Sequence, residues 1–106
     1  MADSFVDVYG FGSFFSNDEF EDVDLVLVHA NAENASCRLA IACKKELLKR
    51  LHRAHITMLS HAEERSLNFL VRACALKVGE ISNDAIAQGA DAIACQLHEV
   101  RRSVLE

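Results

Sequence analysis

Gly12-Ser13-Phe14-Phe15-Ser16-Asn17-Asp18-Glu19-Phe20-Glu21-Asp22-Val23-Asp24-Leu25-Val26-Leu27-Val28 is the stretch on which the fold of this chain turns. Its second half, Asp24 to Val28, is a short continuous apolar run behind an acidic loop, the pattern of a strand buried on both faces near the middle of a sheet. Side chains alternate along a strand, so Asp22 and Asp24 point to one face while Val23 and Leu25 point to the other. Two carboxylates at the head of a buried strand repel each other and are costly unless a cation lies between them. A hard divalent ion, Mg²⁺ or Mn²⁺, takes oxygen ligands of this kind and completes its shell with substrate phosphates. Gly12 and Ser13 end the preceding strand and lie beside the carboxylates if the two strands are neighbours. Glycine permits close approach of backbone to a phosphate, and the serine hydroxyl and local N–H groups can donate to it.

Working outward, Phe5 to Tyr9 alternates and reads as a strand, broken by Gly10-Phe11-Gly12-Ser13. Asn31 to Asn34 reads as a turn, with Asn34 or Ser36 capping a helix over about 35–52. In that helix Ala40, Cys43, Leu47, Leu48 and Leu51 form an apolar stripe, and Lys49 and Arg50 suit the negative end of the dipole. Residues 54–60 read as a strand with Ile56 and Met58 on one face and His55, Thr57 and Leu59 on the other. A helix over 63–73 with Leu67, Leu70 and Val71 inward follows, then a short strand near 75–78 ended by Gly79. Ser82 or Asn83 caps a last helix, where Ile86, Ala90, Ile93, Leu97, Val100 and Val104 recur at steps of four and three. That seam packs either on the domain's own sheet or on a partner, including a second copy. The order predicts one α/β (α+β) domain over 1–106, a small mixed sheet with helices packed on one face.

Composition agrees with a compact cytoplasmic protein, at 51% hydrophobic and 25% charged residues. No apolar run is long enough for a membrane span, and the first residues lack the basic and apolar regions of a signal peptide. None of Cys37, Cys43, Cys74 and Cys95 forms a CxxC pair; core packing is expected of them, most clearly of the last three. The net charge of −5 is uneven, with no Lys or Arg before Arg38. Such an acidic front is a poor surface for duplex nucleic acid, which needs clustered cations. It suits a metal ion.

A strand ending in Gly-Ser, an acidic loop, and Asp-x-Asp opening an apolar strand resemble the nucleotidyltransferase superfamily of DNA polymerase beta-like fold, and in size its minimal nucleotidyltransferases. The strong motif covers residues 10–28, and the order of elements to about Ser60 also follows the family. The resemblance implies that Gly12 and Ser13 contact the triphosphate and that Asp22 and Asp24 hold the metals. It also implies transfer of a nucleoside monophosphate to a hydroxyl, with release of pyrophosphate. The acceptor is then a hydroxyl of a partner protein or small molecule. Such proteins are often paired with HEPN-type proteins in toxin–antitoxin modules, so that partner is implied as well.

Two departures stand out. The loop from Ser13 to Asp22 carries Phe14, Phe15 and Phe20 but no arginine. The third carboxylate that the family usually carries on the next strand falls, by alignment of pattern, near Thr57, and if no other group substitutes a two-metal clamp is incomplete. Glu63 and Glu64 lie just past that strand, but the acidic first turn of a helix is their preferred reading. His55 shares the face of Thr57 and is a candidate nucleotide contact or base, though a histidine without a role is the preferred reading. His29, His52, His61 and His98 read as surface residues. The alternative to an active transferase is therefore a binding module of the same fold with weak or no turnover.

Overall fold

Eight elements follow one another: strands β1 (Phe5–Phe11) and β2 (Val23–His29), helix α1 (Asn34–Arg50), strand β3 (Ala54–Ser60), helices α2 (His61–Leu67) and α3 (Phe69–Arg72), strand β4 (Leu76–Ser82) and helix α4 (Ile86–Leu105). The computed structural model describes residues 5–11, 23–31, 33–51 and 54–105, with the backbone alone at 23 and 98–105. The strands form one mixed sheet in the order β3-β2-β1-β4. β1 is antiparallel to both β2 and β4, and β2 is parallel to β3 through the α1 crossover. This is the small mixed α+β architecture that the order of elements predicts.

β2 lies inside the sheet, and Leu25, Val26, Leu27 and Val28 are all buried. Alternation sends Leu25 and Leu27 into the larger core, with Val6, Val8, Ile56 and Ile81 of the other strands. Leu39, Cys43 and Leu47 of α1, with Leu51 just past its end, cover this face together with Ala90, Ile93, Ala94 and Leu97 of α4. Val26 and Val28 emerge on the opposite face with Leu59, where Tyr9, Phe11, Phe69 and Leu70 partly cover them. The expectation of helices on one face thus holds for the two long helices, while α3 reaches the other face through Phe69 and Leu70. Phe69 meets Phe11 edge to face with ring centroids 5.3 Å apart.

β4 and α4 approach closely because each offers the other a glycine. A Cβ at Gly79 would lie 2.8 Å from Ile93 Cγ1, and one at Gly89 would lie 3.2 Å from both γ carbons of Ile81. The two isoleucines therefore sit in reciprocal notches. Arg50 adds a polar tie between the long helices, hydrogen-bonded to Asp91 on α4 and to Glu46 on its own helix at 2.8 Å.

Several local expectations need correction. β1 continues through Gly10 to Phe11, because Gly10 is paired on both sides, with Leu25 and Leu76. β4 likewise runs through Gly79 to Ser82, since the glycine is needed beneath Ile93 and keeps extended backbone. Leu48 is exposed and Leu39 is buried, because the stripe of α1 is centred on Cys43 and Leu47, one residue off the expected edge. Helix 63–73 is two pieces, divided where Asn68 adopts left-handed backbone at φ 52°. Leu70 is half-buried, while Leu67 and Val71 face solvent. No side chain caps α1; Ser36 bonds backward to the preceding turn instead. Ser82 Oγ accepts from the N–H of Asp84, in the turn before α4.

Of the cysteines, Cys43 alone is in the core, and burial pushes its thiol up to about 11. Cys74 and Cys95 are exposed, contrary to expectation: Cys74 lies in the turn before β4 with left-handed backbone at φ 53°, and Cys95 falls outside the buried stripe of α4. Ala90, Ile93 and Leu97 of the repeating α4 stripe are spent on the domain's own core; Val100 and Val104 have side chains outside the described residues. Among the described residues no helix is long and apolar enough to cross a membrane.

Truncating Leu47 to alanine is expected to cost about 2–5 kcal/mol, and the adjacent Leu48→Ala under about 0.5 kcal/mol, by denaturant unfolding. Gly79→Ala should cost about 1–3 kcal/mol by overpacking against Ile93. Equal losses at positions 47 and 48 would contradict the assigned face of α1.

Candidate functional site

The candidate site forms where the core stops. Leu25 must enter the apolar layer beneath α1 and α4, so Asp24 turns to the other face of the sheet, at the head of β2, with its side chain 30% exposed. Its ladder partner on β1 is Phe11 and on β3 is His55. His55 is exposed, and its Nδ1 lies 3.6 Å from Asp24 Oδ1. The next rung on this face is Tyr9, Val26 and Thr57, with Thr57 in solvent. The faces of β3 are thus as its alternation predicts.

Further across the sheet, a bulge opposite the Val8–Tyr9 step pairs Tyr9 with Lys77 and Val8 with Gly79. The extra residue turns Lys77 and Glu80 to one face, where Lys77 Nζ reaches Asp7 at 3.4 Å and Glu80 at 3.7 Å.

Of the motif residues, Asp24 is described and has the orientation that its spacing requires. Gly12, Ser13 and Asp22 lie outside the described residues. Phe11, the residue before Gly12, is the ladder partner of Asp24. Among the described residues no group of three His, Cys, Asp or Glu side chains converges to hold a metal. What the described residues here offer an ion is one carboxylate with an imidazole beside it, a mixed oxygen–nitrogen pair that fits a divalent cation needing further ligands from elsewhere.

The two glutamates beyond β3 are committed to local structure. Glu63 Oε1 accepts from the N–H of Ser60 at 2.9 Å while Ser60 Oγ accepts from the N–H of Glu63 at 3.2 Å, a reciprocal capping box for α2. Glu64 Oε2 accepts from the N–H of Leu70 across the Asn68 break at 3.1 Å. Ser60 pairs with His29 at the far end of β2. At ~3.3 Å per residue, the run from His55 to Ser60 puts about 16 Å between that end and Asp24. Neither glutamate stands in for a third carboxylate.

His29 is buried, not a surface residue as its sequence context suggests. Its Nδ1 lies 2.8 Å from the carbonyl of Asn31 and 2.9 Å from Ser36 Oγ. A carbonyl only accepts, so the tautomer with its proton on Nδ1 donates to Asn31. Ser36 Oγ also accepts from the N–H of Asn31 at 3.1 Å. Histidine and serine together brace the turn between β2 and α1. A polar pair spaced by seven residues across a turn gives no periodic signal, so sequence reasoning had nothing to detect.

No family model, curated protein or solved structure matches this chain.

The hydrogen bond from the Ser60 N–H, with a further contribution from its hydroxyl, holds the Glu63 carboxyl below its ordinary value. The charged form is thus favoured by folding, so its stabilisation is full above the ordinary glutamate range and is lost as pH falls through the lowered native value. Carboxyl NMR titration is expected to give Glu63 a midpoint below that range, partly raised in Ser60→Ala. A midpoint at or above it would break the capping box and return Glu63 to the candidate residues.

Proposed function

We propose that this chain is a metal-dependent nucleotidyltransferase, moving a nucleoside monophosphate from a nucleoside triphosphate to a hydroxyl of a partner protein or small molecule. The observation that carries the reading is Asp24: a carboxylate at the head of the central strand, on the sheet face away from the long helices, beside the strand that runs into Gly12-Ser13. The strand ladder pairs Phe11, the residue before Gly12, with Asp24, and that pairing supports a reading in which the two halves of the motif act together. In this reading Asp22 and Asp24 hold Mg²⁺ or Mn²⁺, and Gly12 and Ser13 meet the triphosphate. The ion, when bound, neutralises phosphate charge and polarises the phosphoryl group. Half-buried Tyr9, Phe11 and Phe69 on the same face offer a nucleobase an apolar wall. A HEPN-type protein is the partner we propose for the acceptor.

A second reading, a nucleotide- or partner-binding module with little turnover, is favoured by one feature of β3. Its open face presents His55 and Thr57, with no carboxylate. Threonine neither deprotonates a hydroxyl nor binds metal strongly, so chemistry slows while binding persists.

A ligand bound by the native state alone stabilises by about 2.7 kcal/mol at a hundredfold excess over its dissociation constant. Mg²⁺ with a nucleoside triphosphate is therefore expected to raise the melting temperature. The rise should largely vanish in the double variant Asp22→Asn/Asp24→Asn; an equal rise there sinks the assignment. For turnover, positioning and general-base groups are each worth roughly a hundredfold or more. Thr57→Asp should accordingly increase transfer of labelled nucleotide over wild type. Fast wild-type transfer that Thr57→Asp slows would show that another group fills the role. Binding without transfer by either protein decides for the binding module.

A further inference from the structure

We propose that His55 is itself a metal ligand, so that this site selects a transition-metal ion such as Mn²⁺ or Co²⁺ over Mg²⁺. The inference deepens the nucleotidyltransferase reading and rests on its placement of a cation at Asp24. Its basis is the parallel register, which makes His55 the direct lateral neighbour of Asp24, one rung nearer than Thr57. Both side chains stand on the same face, and Nδ1 and Oδ1 are 3.6 Å apart. Two donors on one divalent ion at ligand distances of ~2.0–2.2 Å are themselves roughly 3.0–3.4 Å apart. A closing movement of a few tenths of an ångström therefore suffices, and His55 is exposed enough to make it without disturbing the core.

The chemistry of the donors sets the ion. Carboxylate oxygen is indifferent between Mg²⁺ and Mn²⁺, whereas imidazole nitrogen is a poor ligand for Mg²⁺ and an increasingly good one from Mn²⁺ through Co²⁺ and beyond. Replacing an all-oxygen set by one with a nitrogen thus moves selectivity toward the transition metals. It also supplies the ligand that a threonine at position 57 does not. Two other histidines whose side chains are described are not placed to compete: His29 is buried with Nδ1 committed, and His61 lies beyond the far end of β3.

Mn²⁺ is the probe, added to untagged full-length protein without nucleotide. Pulsed EPR of bound Mn²⁺ is expected to show ¹⁴N coupling from a directly bonded imidazole in wild type. The coupling should be lost in His55→Gln and kept in His61→Gln. Loss of even an outer partner of a metal ligand costs roughly tenfold in affinity, so Mn²⁺ should bind His55→Gln at least that much more weakly. Mg²⁺ affinity should stay within about twofold, since magnesium gains little from the nitrogen. Nitrogen coupling that survives His55→Gln, bound Mn²⁺ with no coupling in wild type, or no Mn²⁺ binding overturns the proposal. A nucleoside triphosphate is then added: coupling that disappears in His55→Gln but a complex that never takes up nucleotide upholds the metal ligand and removes the transferase reading.

Discussion

Everything in this fold answers to the double burial of β2. A strand whose Leu25, Val26, Leu27 and Val28 are all withdrawn from water needs a strand on each side for its backbone and an apolar layer on each face for its side chains. β1 and β3 supply the first, α1 with α4 the second on one face, and Leu59 with Phe69 and Leu70 a thinner cover on the other. Each such side chain is worth about 1.5–3 kcal/mol when fully buried, so this one strand commits the sheet. Apolar cover ends at Asp24, where a carboxylate takes the next place on the thinly covered face. Core and candidate site are successive rungs of the same ladder.

How much of this was legible depends on where periodic signals are strong. The apolar run of β2 and the alternation of β3 identify both strands and their faces, because burial on a pleated surface leaves no other arrangement for those residues. The two long helices are legible for the same reason, although Leu48 shows that a stripe's edge depends on the angle at which a helix meets the sheet. Gly10 and Gly79 mislead as breakers: a ladder partner on each side of one, and Ile93 above the other, hold extended backbone that glycine alone does not favour. Asn68 misleads the other way. Left-handed backbone at a non-glycine residue carries no hydropathy signature, so a helix expected to be continuous is divided there.

At the candidate site, spacing sufficed to orient Asp24, since period two is a property of the strand itself. Register was not legible. Which residue of β3 lies beside Asp24 depends on the length and path of the α1 crossover, and a shift of two residues keeps every side chain on its face while changing the neighbour. Alignment by pattern puts the family's third carboxylate near position 57, whereas the lateral neighbour of Asp24 in the ladder is His55. Glu63 and Glu64, just past β3 in sequence, lie at the opposite end of the sheet, because β3 runs parallel to β2 and delivers α2 to the end remote from Asp24.

The place of β1 between β2 and β4 has a kinetic consequence. One edge of β1 is closed by β2, its near neighbour in the chain, and the other by β4, which comes most of the sequence later. A chain rich in such distant pairings folds more slowly than its size alone requires. Until β4 arrives with α4 locked into it by the two glycine notches, β1 shows a bare strand edge and Val6 and Val8 lack part of their cover. An intermediate of that kind pairs readily with its own copies. Refolding yield should therefore be limited by protein concentration rather than by the intrinsic stability of the finished sheet.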